Sequence, residues 1–208
     1  MYKTFKLVGI TGVAKSGKDT FYSISEKVIE EKYKLKTKRV AFADSLKDSL
    51  HQLINSSFGL DINNLSPENK EVIRPLMVAY GKAARDIQPD FWIDVIKTKL
   101  NNFEAINNEY LYPRDSVVFI TDVRYQNEVN FIREMGGEVI GVRKMRNYFS
   151  ELPPANEEEA QNTLPLLAQI PIHQVLTWEH VGNNRLDLLK PKIDAFWAQN
   201  SHLLQILA

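Results

Sequence analysis

Residues 5 to 28 constrain the fold more than any other stretch of this chain. Phe5-Lys6-Leu7-Val8-Gly9-Ile10 is a short apolar run of buried-strand type, and Phe21, Ile24 and Val28 fall three and four residues apart, as on one helix face. Between them lies Gly12-Val13-Ala14-Lys15-Ser16-Gly17-Lys18-Asp19-Thr20. Gly12, Gly17 and Lys18 fit G-x-x-x-x-G-K-[ST], with Asp19 where a hydroxyl residue is expected and Thr20 just after it. Glycines let successive backbone N–H groups turn inward around an anion, the helix start adds its positive end, and Lys18 reaches terminal phosphates. A strand, glycine loop and helix in succession predict a phosphate site formed by residues 12–20.

The rest of the chain continues the alternation expected of an α/β fold with a largely parallel sheet. Further strands are predicted at Arg39-Val40-Ala41-Phe42, Val117 to Asp122, Glu138 to Val142 and about Gln174 to Val181, five in all. Helical stripes run through Leu46, Leu50, Leu53, Ile54 and Phe58, and through Ile93, Ile96, Leu100 and Phe103. Ser66-Pro67-Glu68 starts another helical region, and Pro75 precedes the stretch to Asp86. A helix carrying Val129, Ile132 and Met135 is stopped by Gly136-Gly137. Residues 144–171 are polar and proline-containing and read as a mobile loop or lid, with a last helix from about Arg185.

Bulk properties narrow the function classes. The 208 residues suit one domain, and an apolar fraction of 44% supports a real core. With 26 basic and 26 acidic residues the net charge is zero, so bulk attraction to nucleic acid or anionic membrane is not expected. The absence of cysteine excludes disulfides, thiolate metal sites and cysteine nucleophiles. No signal-like N-terminus or membrane-length apolar stretch is evident, so a cytoplasmic protein is expected.

Four groups of residues carry candidate chemistry. In the loop, Asp19 either holds Mg²⁺ through water or stabilises the helix start, with Thr20 supplying the hydroxyl. In Thr121 to Glu128, Asp122 ends an apolar strand on the ligand-binding side of a parallel sheet, and Arg124 can neutralise a phosphate. The alternative is that Asp122 caps the next helix and Arg124 pairs with Glu128. In the helical middle, Asp44, Lys47, Arg74, Lys82, Arg85 and Trp92 supply the cations and aromatic face that a nucleotide acceptor needs, although Trp92 also suits a core and Lys82 a solvated face. Arg143-Lys144-Met145-Arg146 stands where the lid begins, as phosphoryl transfer demands, or forms a solvated charge cluster. His173 and His180 lack metal-type spacing and have no assigned role.

Gly17-Lys18-Asp19-Thr20, Phe42-Ala43-Asp44-Ser45-Leu46-Lys47 and Thr121 to Glu128 together resemble the bacteriophage deoxynucleoside monophosphate kinases. Tyr80 to Arg85 and Pro89-Asp90-Phe91-Trp92 are similar to that family's acceptor-side segments. The resemblance covers residues 1 to about 145, and more loosely Gly182-Asn183-Asn184. It implies a single P-loop NTPase domain with a parallel five-stranded sheet flanked by helices, a helical nucleoside-monophosphate-binding region near 44–110 and a lid near 144–171. It also implies ATP as phosphate donor, Mg²⁺, a deoxynucleoside monophosphate acceptor, a homodimer and the cytoplasm of an infected bacterium. The residues implied for ATP are Gly12 to Thr20, with Asn183 and Asn184 near the adenine. Asp44, Lys47, Arg85 and Arg124 are implied for the acceptor, and Arg143, with Arg146, for the transferring phosphate. Lys18, Arg143, Asp122 and Arg124 are the candidate catalytic set. Other expectations compatible with the loop are a small-metabolite kinase, such as one resembling phosphomevalonate kinase, and an ATP-binding module without catalysis.

Overall fold

The computed structural model describes residues 5–108, 116–147, 150–179 and 188–205. They form two compact units, one built from residues up to Val40 and from Glu104 onward, the other from Ala41–Phe103.

The first unit is a mixed α/β structure on a mostly parallel sheet. Its strands are β1 (Phe5–Thr11), β2 (Lys36–Val40), β3 (Ser116–Val123), β4 (Glu138–Asn147), β5 (Ser150–Glu151) and β6 (Val175–Glu179). The order is β2-β3-β1-β4-β5, with β6 also on β4. Pairings among β1, β2, β3, β4 and β6 are parallel, and β5 is antiparallel to β4. The expected plain five-stranded parallel sheet is therefore corrected to six strands, because β4 continues past Val142 and turns back on itself.

Helices cover both faces. Val8 and Ile10 of β1 join a core with Phe21, Val28 and Ile29 of helix α1 (Lys18–Tyr33) and with Ile193, Phe196 and Trp197 of α7 (Leu189–Gln199). Gly9, pointing the other way in the strand, lies against Ile132 of α5 (Gln126–Glu134), where a Cβ would come within 2.7 Å of the Ile132 Cδ1. The Trp197 indole N–H donates to the Ser25 hydroxyl at 2.8 Å, so this buried aromatic is satisfied.

Several local expectations are corrected. β2 ends at Val40, and Phe42 opens helix α2 (Phe42–Phe58), which places Asp44 in a first turn. The strand lies earlier than its apolar residues suggest, because Lys36–Val40 is mostly exposed and polar, while Val40-Ala41-Phe42 only looks like a strand. Residues 159–169 are helical, a π turn (Glu159–Thr163) running into α6 (Leu164–Gln169) with a proline at its start. Arg143, Lys144 and Arg146 accordingly sit inside β4 and not at the mouth of a loop. The last strand is Val175–Glu179; His180 and the start predicted near Arg185 lie outside the described residues.

The second unit is helical: α2, α3 (Pro67–Ile87) and α4 (Phe91–Asn108). α3 is continuous, with Ser66 accepting from the Asn69 N–H as its N-cap and Pro75 inside it. Leu50, Ile54, Ile62 and Ile73 form its core. Leu53 and Phe58, expected on the buried stripe, are exposed, while Ile93, Ile96 and Leu100 are buried as expected; the Phe103 side chain lies outside the described residues. No described helix is long and apolar enough to cross a membrane.

Candidate functional site

Parallel pairing brings the glycine loop and the end of β3 together. Thr11 pairs with Val123 on one side and with Gly141 on the other, so Gly12 and Arg124 leave the sheet side by side at its carboxyl end. The loop is tightly built. A Cβ on Gly12 would lie 2.4 Å from the Val142 carbonyl oxygen, so only glycine fits. Gly17 caps α1 at φ 93°, in the left-handed region. A Cβ there would lie 2.3 Å from Cζ2 of Trp178 on β6. Lys15 also has a positive φ, 63°, which a non-glycine residue adopts only under constraint.

Lys18 folds back over this loop. Its ammonium donates to the carbonyls of Gly12 at 2.6 Å and Val13 at 3.0 Å. Its pKa is lowered from 10.5 to about 8, chiefly by burial and secondly by the Arg124 guanidinium, while Glu159, Asp19 and Asp122 pull the other way. A second cation so near a buried ammonium makes the loop mouth a place where bound negative charge is favoured. Ser16 is fully buried and its hydroxyl has no hydrogen-bond partner among the described residues; the Thr11 and Thr121 hydroxyls are in the same position.

Beyond β3, Glu128 accepts from the backbone N–H groups of Arg124 at 2.7 Å and Tyr125 at 3.1 Å, forming a capping box for α5. The expected alternative pairing of the Arg124 side chain with Glu128 is thus replaced by a backbone contact. The Arg124 guanidinium instead lies 3.5 Å from Glu159. Asp122 is partly buried at the end of β3. Asp19 is exposed in the first turn of α1, and Thr20 beside it is half-buried. Among the described residues no group of three or more His, Asp or Glu side chains is arranged to hold a metal.

Arg143 is engaged elsewhere, donating to Glu151 at 3.0 Å and to the Leu167 carbonyl at 3.2 Å. It ties β4 to β5 and α6. Arg146 is exposed on β4. Asn183 and Asn184 lie outside the described residues.

The helical unit holds the acceptor-side candidates. Asp44 and Lys47 are half-buried on α2. Arg85 donates to the Gly81 carbonyl at 3.1 Å, and the Trp92 indole donates to the same oxygen at 3.2 Å. Trp92 is 2% exposed and packs edge-on against Tyr80 and Phe91, which makes it a core residue of this unit. Arg74 pairs with Glu71 and Lys82 with Asp86 on exposed surface, consistent with solvated faces.

Two residues escaped the sequence reading. Trp178 is buried and its indole N–H donates to the Ser16 carbonyl at 2.8 Å, holding the loop from β6. Glu159, also buried, accepts from the Ala14 N–H with both carboxylate oxygens at 3.0 Å. Each lies more than a hundred residues from its partner, beyond any local pattern; the only available signal was an isolated tryptophan and one acid among three consecutive glutamates.

No protein-family model matches this chain, and comparison with curated proteins finds no match.

Proposed function

We propose that this protein is a P-loop kinase that transfers the ATP γ-phosphate to a deoxynucleoside monophosphate. The observation that carries the reading is the glycine loop between β1 and α1, with Lys18 folded over it and Arg124 emerging beside it from β3. The resemblance of Gly17 to Thr20, Phe42 to Lys47 and Thr121 to Glu128 to phage deoxynucleotide kinases narrows the acceptor to a deoxynucleoside monophosphate.

In this reading the backbone N–H groups of residues 13–18 and the start of α1 hold the ATP phosphates. Lys18 exchanges the Gly12 and Val13 carbonyls for phosphate oxygens, and Arg124 neutralises charge on the migrating group. A phosphate oxygen of the acceptor attacks the γ-phosphorus as the bond to the ADP oxygen breaks. That oxygen is already anionic at neutral pH, so no histidine or cysteine base is needed. Mg²⁺ entering with ATP would screen phosphate charge, with Asp19 and Thr20 as the residues that would hold it. Arg85, Asp44 and Lys47 would serve the acceptor.

The test is incubation with Mg-ATP and each of the four common deoxynucleoside monophosphates, followed by chromatography of the products. Acceptor-dependent formation of a deoxynucleoside diphosphate and ADP is expected. ATP binding without diphosphate from any of them would refute the deoxynucleoside monophosphate kinase assignment and leave an ATP-binding module or a kinase for another metabolite.

A further inference from the structure

The glycine loop already holds an anion, and the chain supplies it. Glu159 is 2% exposed, and both its oxygens lie 3.0 Å from the Ala14 N–H. Its Oε1 is 3.5 Å from the Arg124 guanidinium, and its Oε2 accepts from the Ala155 N–H at 3.0 Å. The carboxylate thus takes one backbone donor and one cation that a bound phosphate would use. The neighbouring Glu158 accepts from the Tyr125 hydroxyl, so two consecutive acids clamp the same turn onto the loop and onto the residues after β3. Asn156 accepts from the Glu159 N–H at 2.9 Å and starts the turn in the orientation that aims Glu159 inward. The Ser16 hydroxyl in the same loop is buried without a partner among the described residues, so the carboxylate uses only part of what the loop offers.

Resting on the reading of the loop as a phosphate site, we propose that residues 155–163 form an autoinhibitory strap whose Glu159 carboxylate occupies the loop and must leave before a polyphosphate binds. Carboxylate and phosphate compete for the same donor, and their like charges exclude simultaneous occupation. The apparent affinity for polyphosphate is then the intrinsic affinity scaled by the fraction of molecules with the strap released. A fixed structural buttress would behave differently: weakening it would loosen the loop and lower affinity.

The experiment measures calorimetric binding of inorganic tripolyphosphate and of ATP to wild type and to Glu159→Gln, which keeps the side chain's size and removes its charge. Amide hydrogen exchange across residues 155–163 of wild type, with and without ATP, supplies a measurement that needs no variant to fold. The strap predicts at least about tenfold tighter tripolyphosphate binding in the variant, and faster exchange of 155–163 once ATP is bound. If wild type binds tripolyphosphate while the variant binds equally or more weakly, and exchange does not rise with ATP, the strap is overturned and the phosphate site stands. If neither protein binds tripolyphosphate or ATP, the phosphate-site reading itself fails and takes the strap with it.

Discussion

Replacing Lys18 by methionine should change the pH dependence of stability in a calculable way. The ammonium is held at about 8 instead of 10.5, chiefly by burial and secondly by Arg124. Between those values the unfolded chain binds more protons than the folded one, so stability attributable to Lys18 rises with pH. It is fully present above the unfolded value of 10.5 and is lost as pH falls through about 8. The full span corresponds to roughly 3 kcal/mol, and the part between about pH 7 and about pH 9.5 to about 2 kcal/mol. Urea unfolding of wild type and Lys18→Met at both pH values gives this directly as a difference of differences. Other titrating groups cancel, as does the pH-independent loss of the bonds to the Gly12 and Val13 carbonyls. Wild type should gain about 2 kcal/mol on the variant over that range. A difference that stays flat to within about 0.5 kcal/mol would refute the claim that burial in the loop depresses the pKa of the Lys18 ammonium. Polyphosphate would supply the missing compensation and return the pKa upward, so binding near pH 8.5 should draw about 0.7 of a proton from buffer. Binding heats in two buffers of different ionisation enthalpy measure that uptake.

Other outcomes follow from neighbouring contacts. Lys18→Ala should abolish diphosphate formation in the kinase assay, whereas Arg85→Ala should chiefly raise the acceptor KM; an unchanged acceptor KM would remove Arg85 from the site. Trp178→Phe keeps an aromatic ring but leaves the buried Ser16 carbonyl without its donor, which should cost about 1–3 kcal/mol in denaturant unfolding and raise the KM for ATP. Gly17→Ala meets both a left-handed φ and the Trp178 ring, so a loss of about 2 kcal/mol or more is expected by the same assay, together with loss of ATP binding.

The sequence disclosed those parts of the fold whose signal is local. β1, β3 and the stop of α5 at Gly136-Gly137 are encoded in contiguous apolar runs and in glycines, and they lie where expected. β2 is mostly exposed, so hydrophobicity marks the wrong end of it. The 159–169 helix was hidden by its acidic start and by Pro165, which stands at the junction where the π turn of Glu159–Thr163 passes into α6. The same division holds for the site. The loop could be read from its own residues, whereas Glu159 and Trp178 act on it from 145 and 162 residues away. Trp92 and Arg143 carry side chains suited to nucleotide binding, and in the fold Trp92 donates to the Gly81 carbonyl while Arg143 donates to Glu151 and the Leu167 carbonyl.

The order of strands has a consequence for how the chain is made. β1 is central, with Phe5 opposite Ser116 and Val8 opposite Glu138, so neither of its partners exists until well over a hundred residues have been synthesised. At ribosomal rates of about 5–20 residues per second, β1 waits on the order of ten seconds for its first neighbour. In that interval Leu50, Ile54, Ile62 and Ile73 have all emerged, and the helical unit can close its own small core. The glycine loop, strung between a strand without neighbours and a helix without a sheet, is then among the last parts of the molecule to take shape.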